Sequence, residues 1–581
     1  MKRLLALSSL LFAFAAAGAQ VYSNQPEYSR DPVGMKSYPA APRLAQRAAI
    51  APASIVASAV ETVPEQLVAL RAWNDAGKSP MKNGFTRTVG DPITVRVDGA
   101  YAAKSAGPLS VARGLMTATD HGTLVWSGAV RVDGAYRIRL HLTNVQLPDS
   151  ATLWVYGEGQ APVGFGKELL YNGSLYTPSV NGPTVYLELE VPSKERASFE
   201  IRDLLELVAT SGGLQPNDSP SCLIDATCVT SATYDAIADV RAAIAQLQYV
   251  KDGDGFVCSG GLLNDKVPAP SFVPYLLTAN HCFDSQASAS SLEAYFDYKT
   301  ASCNGTFPIF GTPVNGSTLL ATNASSDFTF VRLNSVPANR TFLGWTTTTQ
   351  SEGATLHRVS HPFPDSFNVP APQKYSNSSL NSFFGTCQNR PLTNYIYSTG
   401  GQGGVYGGSS GAPVLINGGQ VVGQLLGACG SDPTAGCDRT NNANLDGRFS
   451  VTFASIQQFI NVTTGDSCTE TSTALCLNNN RFRVEATYQT GSGQTGQAQV
   501  VKLTSETGYL WFFSSTNVEV VVKVLNACGI NGYWVFAAGL TDVRVVLTVT
   551  DTKTGVVRQY TNPLGTPFQP IQDTSAFSTC P

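Results

Sequence analysis

The chain has 581 residues, and at about 150 residues per domain that length points to roughly four segments rather than one. Charged residues make up 14%, the formal net charge is -4, and no basic stripe or run of like charge occurs, which argues against nucleic acid as a partner. With 43% hydrophobic residues in short bursts between Gly, Pro, Ser, Thr and Asn, the chain can bury several cores, is not intrinsically disordered and reads as mainly β.

Residues 1–19 carry Lys2 and Arg3, an apolar run from Leu4 to Phe14, and small residues ending Ala17-Gly18-Ala19. This is the pattern of a secretory signal peptide cleaved after Ala19, and it predicts a secreted protein. No later stretch reaches about 18 uninterrupted apolar residues, so no integral membrane segment is expected after signal removal. From Gln20 to about Gln66 the chain is rich in Ala, Pro, Ser and Arg without periodicity and reads as a flexible leader. Strand patterns follow between about Pro92 and Leu207, including Ile93–Val97, Tyr136–Leu142, Thr152–Tyr156 and Val185–Val191, a β-sandwich candidate. The repeat Val97-Asp-Gly-Ala-Tyr101 and Val132-Asp-Gly-Ala-Tyr136 reads as hairpin chemistry.

A linker containing Ser211, Gly212, Gly213, Pro216, Asn217 and Pro220 marks a boundary. All 12 cysteines lie beyond it, from Cys222 to Cys580, an even number that supports six disulfides in an oxidising compartment. No local Cys-x-x-Cys pair of a zinc site is present. The expected division is 1–19 signal peptide, 20–213 N-terminal region with its β-rich part from about 90, 214–463 a cysteine-bearing domain with a Leu247–Cys258 hairpin, and 464–581 a second β-sandwich-like domain.

Chemistry concentrates in Gly407-Gly-Ser-Ser-Gly-Ala-Pro413, where small residues leave a serine on a tight turn with backbone N–H groups free for a developing oxyanion. The same residues satisfy a Gly-x-Ser-x-Gly elbow, which would nominate Ser409. That elbow needs its histidine after the serine, and the last histidine is His361, so Ser410 is the nucleophile and its base lies upstream among His281, His357 and His361. His281, in Tyr275-Leu-Leu-Thr-Ala-Asn-His-Cys282, ends a buried-strand pattern beside a cysteine. Asp327 heads the apolar Phe328–Leu333 strand, where a buried carboxylate would orient His281. A lone histidine of this kind is more often structural, but the downstream serine turn and the intervening acid reverse those odds.

Cys258-Ser-Gly-Gly-Leu-Leu, Thr278-Ala-Asn-His-Cys282, Asp327-Phe-Thr-Phe-Val-Arg-Leu and Gly408-Ser-Ser-Gly-Ala-Pro, in the order His, Asp, Ser, resemble the chymotrypsin-like serine peptidases. Ser221-Cys222-Leu-Ile-Asp-Ala-Thr-Cys228, Ser360-His361-Pro362 and Gly423-Gln424-Leu425 resemble, more narrowly, secreted bacterial peptidases of the lysyl endopeptidase type. The resemblance covers about 240 residues. It implies a double β-barrel, a His281–Asp327–Ser410 triad, an oxyanion hole from the backbone N–H groups of Gly408 and Ser410, and no cofactor. Its expected partners are protein or peptide substrates and the N-terminal region itself, acting as a propeptide that covers the cleft or assists folding. It further suggests the pairs Cys258–Cys282 and Cys228–Cys303, with Cys222 reaching Cys429 or Cys437 and Cys387 taking the other.

Three departures bear on activation and specificity. Ser409 stands where many animal relatives carry an Asp that pairs with the freed N-terminus, so that switch is not expected. Gly404, six residues before Ser410, cannot bind a basic P1 side chain as the pocket base of trypsin-like enzymes does. In lysyl endopeptidase-like members an acid beyond the Gly-Gln-Leu strand does this work; Asp446 is the candidate, its register is shifted, and a turn Asp-Gly is the competing reading. Leu426 stands where such enzymes can carry a histidine, leaving P1 open among Lys, Arg and uncharged residues. His357 and His361 have a helical metal-ligand spacing, but Pro362 and Pro364 argue against a helix and no third ligand is evident. Tyr509-Leu-Trp-Phe-Phe513 reads as core packing rather than a ligand platform. The rival readings are an inactive peptidase-fold binding protein and a non-peptidase serine hydrolase.

Overall fold

The computed structural model describes residues 21–43, 57–60, 64–98, 108–208, 220–266, 272–308, 311, 313–363, 371–382, 390–461, 468–528, 530 and 532–579. The expected signal peptide and most of the linker lie outside these residues.

The N-terminal β-rich region is a sandwich. One sheet runs in the order Val163–Phe165, Thr152–Tyr156, Thr184–Pro192, Thr123–Val132, Gly114–Ala118, Leu109–Val111. It faces a second sheet built from Arg137–Gln146, Ala197–Leu207 and Met81–Val97, and Val95, Trp126, Leu140, Leu187 and Phe199 fill the space between. Period-2 alternation puts one side of each strand into that core. The start of the other side of Arg137–Gln146 is not in water. Arg137 and Arg139 are 3% and 2% exposed, because they lie against the next domain near Glu293, Tyr295 and the Ser291 carbonyl.

The long strand Met81–Val97 joins two domains into one sheet. It pairs along Ala197–Leu207 and, at its start, with Asp254–Leu262 of the cysteine-bearing domain, setting Met81 opposite Val257 and Phe85 opposite Asp254. That domain has two β-barrel halves. The first includes the Ile244–Lys251 and Asp254–Leu262 hairpin, whose Asp252-Gly253 turn has φ of 52° and 83°, the type I′ geometry expected there. Tyr275–Thr278, Glu293–Phe296, Ser317–Asn323 and Phe328–Leu333 complete it. The second is a closed six-strand barrel in the order Gln420–Gly430, Pro413–Ile416, Thr355–Ser360, Lys374–Leu380, Tyr395–Thr399, Asn442–Arg448, closed by pairing of the first strand with the last. The helix Phe449–Ile460 packs Phe449 and Phe453 on Trp345. The last domain is two five-stranded sheets over a separate core including Val484, Leu510, Val522, Val535 and Leu547.

Two sequence expectations change. The leader is not structureless throughout: Ser23–Asn24 pairs with Gly344–Thr346, Glu27–Ser29 pairs with Arg340–Phe342, and Tyr22 stacks on Phe453 at 5.0 Å. Strands of two or three residues carry no periodicity, so only their partners reveal them. The Val132-Asp-Gly-Ala-Tyr136 repeat makes a turn with Gly134 at φ 77°, but it links strands of different sheets instead of closing a hairpin. In its counterpart, residues 99–101 lie outside the described residues.

Candidate active site

His281 and Asp327 meet because their strands are neighbours. Tyr275–Thr278 runs antiparallel to Phe328–Leu333 with Thr278 opposite Thr329, so the residues after the first strand and before the second emerge at the same end. Asp327 binds His281 at two points: Oδ1 accepts the backbone N–H at 2.8 Å and Oδ2 accepts Nδ1–H at 2.8 Å. This fixes the ring's orientation and leaves the proton on Nδ1. Asp327 has φ 51°, a left-handed conformation Asp tolerates better than most residues, and its carbonyl accepts from Asn280 N at 3.1 Å. The Asp327 side chain is 5% exposed, and the Cys258–Cys282 disulfide anchors the turn behind His281.

The serine turn is held at alternate N–H groups, Ser409 N donating to Tyr406 O at 3.0 Å and Gly411 N to Leu425 O at 2.8 Å, and by two of its carbonyls. Gly407 O accepts from Phe363 N at 2.6 Å and Ser409 O accepts from Ala412 N at 3.0 Å. A trans peptide points its N–H opposite its carbonyl, so these bonds aim the N–H groups of Gly408 and Ser410 away from the turn, and neither is taken by a backbone carbonyl among the described residues. Gly408 sits at φ +89° with His361 O 2.7 Å from where a Cβ would be, and Gly411 at φ +80° with Thr278 Oγ1 at 2.2 Å; a side chain fits at neither. Ser259, beside Cys258, ties the turn to the first barrel half. Its N–H donates to Ser410 O at 2.8 Å, its hydroxyl donates to Gly408 O at 2.8 Å, and it accepts from His361 N at 3.0 Å. Sequence reading missed Ser259, whose only signal is its place in Cys258-Ser-Gly-Gly.

The N-terminal region enters this site. Ser79 Oγ lies 3.4 Å from Ser410 Oγ, and Met81 packs with Val257 and Phe363, its Cγ 2.3 Å from where a Gly407 Cβ would be. Trp73, on the helix Pro64–Asp75, meets Phe256 edge-on at 6.3 Å, and Lys82 pairs with Asp254. His281 Nε2 is buried and has no hydrogen-bond partner among the described residues. The turn Lys78 to Met81 thus occupies the ground in front of the serine.

Asp446 lies in the second barrel, fully buried, with its carboxylate paired to Arg358. Burial raises its pKa against the opposing pull of Arg358 and Arg439. Gly404 abuts the Gly436 carbonyl and Cys222 Sγ. His357 is on a strand, bonded through Nδ1 to Tyr375 Oη at 2.7 Å and through Nε2 to Asn417 at 3.1 Å, while His361 Nδ1 donates to Ala371 O at 3.2 Å; the two rings share no hydrogen-bond partner. Leu510 and Phe512 are core residues of the last domain, whereas Phe513 is 52% exposed. Disulfides join Cys222 to Cys437, Cys228 to Cys303 and Cys468 to Cys476. Cys429 and Cys528 are also disulfide-bonded, while Cys387 and Cys580 lie outside the described residues. Among the described residues no helix is long and apolar enough to cross a membrane.

Residues 216–447 match a family described as lysyl endopeptidase, C-terminal domain. A lysyl endopeptidase of Pseudomonas aeruginosa is 28% identical over 371 residues, covering 57% of this chain and 77% of that protein. The chain therefore has a lysyl endopeptidase-like relationship, which supports a peptidase. A crystal structure of the scabies mite inactivated protease paralogue S-I1 aligns at 11% identity and a TM-score of 0.28, covering 39% of this chain and 96% of that one.

Proposed function

We propose that the protein is a secreted serine endopeptidase made as a precursor, with residues 1–19 as signal peptide, the rest of 20–213 as propeptide, 214–463 as the peptidase and 464–581 as an accessory domain. The observation that carries this reading is the two-point grip of Asp327 on His281 beside a serine turn with two N–H groups that no backbone carbonyl takes among the described residues. Ser410 Oγ attacks the scissile carbonyl while His281 Nε2 takes its proton and later passes it to the leaving amine. Asp327 keeps the Nδ1 tautomer and stabilises the imidazolium. Charge developing on the carbonyl oxygen falls between the N–H groups of Gly408 and Ser410, each such donor being worth about 100- to 1000-fold in rate. No cofactor enters these steps.

The propeptide is the first partner of the site: with Ser79 against Ser410, no substrate carbonyl can approach until that turn leaves. Ser409 Oγ accepts from Ser360 Oγ at 3.0 Å, a neutral arrangement that needs no new N-terminus, so activation here is unblocking. The test is a fluorescent phosphonate that labels active serines. The matured protein is labelled at Ser410 and cuts peptides, the intact precursor is labelled slowly, and Ser410→Ala is silent in both. Matured protein that is neither labelled nor active would favour the binding-protein reading.

A further inference from the structure

The structure also bears on what this site cuts, provided the serine-endopeptidase reading holds. The Gly423-Gln-Leu strand lies directly beside the nucleophile, since Leu425 O accepts Gly411 N at 2.8 Å and Leu425 N donates to Ala412 O at 3.0 Å. Its strand partner places Asp446 opposite Leu425 and Asn444 opposite Ala428. Two residues apart on one strand, Asn444 and Asp446 share a face. A Cβ on Gly423 would lie 3.5 Å from Asp446 Cβ, so that face lies against the strand that holds the serine turn. The glycine run Gly400 to Gly404, which leads to the nucleophile, is tied to the same face by Arg439. Its Nε donates to Gly400 O at 3.1 Å, Nη1 to Asn444 Oδ1 at 3.0 Å and Nη2 to Asn377 O at 3.4 Å. The Cys222–Cys437 disulfide pins the loop carrying Arg439 two residues away.

The charges here do not suit a basic side chain. Asp446, the one carboxylate acting on Arg439 among the described residues, already pairs with Arg358, which with Arg439 leaves a sum of one positive charge. Burial lowers the Arg439 pKa to about 10, still cationic at neutral pH. Asn444 Nδ2 and Arg358 Nε are buried donors without a partner among the described residues. A lysine would bring a third cation into this setting, whereas a carboxylate would meet a guanidinium and an amide donor.

The propeptide junction supplies independent support. Between Arg202 and Arg241 the chain has no Lys or Arg at all, while Asp218 sits four residues before Cys222. An enzyme that frees itself at this junction cannot require a basic P1 residue.

We propose that the P1 pocket accepts an acidic side chain, Asp or Glu, with Arg439 and Asn444 as specificity-determining residues, and that self-processing cuts after Asp218. The residues alone leave P1 open among Lys, Arg and uncharged side chains; an acidic P1 lies outside that range.

The test is mass spectrometry of a mixed peptide library cut by the matured full-chain protein, together with its N-terminal sequence. The expected result is Ser410-dependent cleavage after Glu and Asp, a new terminus at Ser219, and an uncut junction in Asp218→Asn. Arg439→Gln should lower kcat/KM on Glu-P1 peptides by about 10- to 100-fold while changing Gln-P1 peptides only a few-fold. If that variant fails to fold, the wild-type profile still decides. The pair Arg439→Gln with Asn444→Asp changes the local sum from +1 to -1 and should bring in Lys-P1 cleavage. Ser410-dependent cuts after Lys, Arg or apolar residues in the wild type would overturn the pocket alone. No Ser410-dependent cut at all would overturn the peptidase reading and this inference with it.

Discussion

Among the described residues two sets of serine, histidine and aspartate stand out, and the better hydrogen-bonded one is not at the serine turn. In the N-terminal sandwich, His141 Nδ1 meets Asp203 Oδ1 at 2.7 Å and Nε2 meets Ser174 Oγ at 2.6 Å, with Tyr176 stacked on the ring at 4.2 Å. In the proposed triad only the His281–Asp327 half is formed: His281 Nε2 has no hydrogen-bond partner among the described residues, and Ser410 Oγ has Ser79 Oγ 3.4 Å away. What separates them is the backbone. Ser174 N donates to Tyr171 O at 3.0 Å and is spent within its turn, whereas the N–H groups of Gly408 and Ser410 are aimed outward by bonds to the carbonyls of their own peptides. Side-chain relay geometry is thus no sufficient sign of hydrolysis, since acyl transfer also needs donors where the oxyanion forms.

That contrast can be broken by experiment. Ser410→Ala should reduce kcat on a peptide substrate by about 10⁶-fold, and Ser174→Ala should leave it within about 2-fold, measured on matured protein. Asp327→Asn should cost about 10⁴-fold by mis-setting the His281 tautomer, against no change for Asp203→Asn. Gly408→Ala should cost about 100- to 1000-fold in kcat through one displaced donor, with KM less affected. In the precursor, Met81→Asp should speed phosphonate labelling of Ser410 by about 10-fold or more, because a buried carboxylate against Val257 and Phe363 loosens the blocking turn.

The smallest effect concerns acid stability. His361 is fully buried, and loss of hydration pushes its pKa down to about 4, against about 6.5 in the unfolded chain. Between these values the unfolded state binds a proton that the folded state excludes. The neutral ring's contribution is therefore complete above about pH 6.5 and is lost as pH falls towards 4, by up to ~3 kcal/mol. Urea unfolding at pH 7, 5 and 4 in a Ser410→Ala background should show a shallower loss for His361→Gln than for His361; equal slopes would count against this.

Some of this was legible in residues alone. His281, Asp327 and Ser410 each stand in a short local pattern, a buried strand into a turn, an acid before a strand, and a glycine-flanked serine, and each pattern survives in the fold because local backbone chemistry dictates it. The Asp252-Gly253 hairpin is of the same kind. By contrast, Ser79, Arg358 and Arg439 carry no local signal, and Ser259 only its place beside Cys258. Each acts through a residue far along the chain, and a polar residue in a loop or strand looks alike whether it faces water or a buried partner.

The leader and the Arg137–Gln146 strand make the same point at larger scale. Alternation correctly marks one face of that strand as core, yet it cannot say that Arg137 and Arg139 are covered by another domain. The sequence by itself determined a mainly β chain with a glycine-flanked serine, an upstream histidine and an intervening acid, because strand periodicity and turn chemistry are local properties. Tertiary structure alone decided that Met81–Val97 carries the N-terminal sandwich's sheet into the cysteine-bearing domain and sets Ser79 against Ser410, and that Asp446 pairs with Arg358. Such pairings are chosen by shape and burial between distant segments, which no local pattern records.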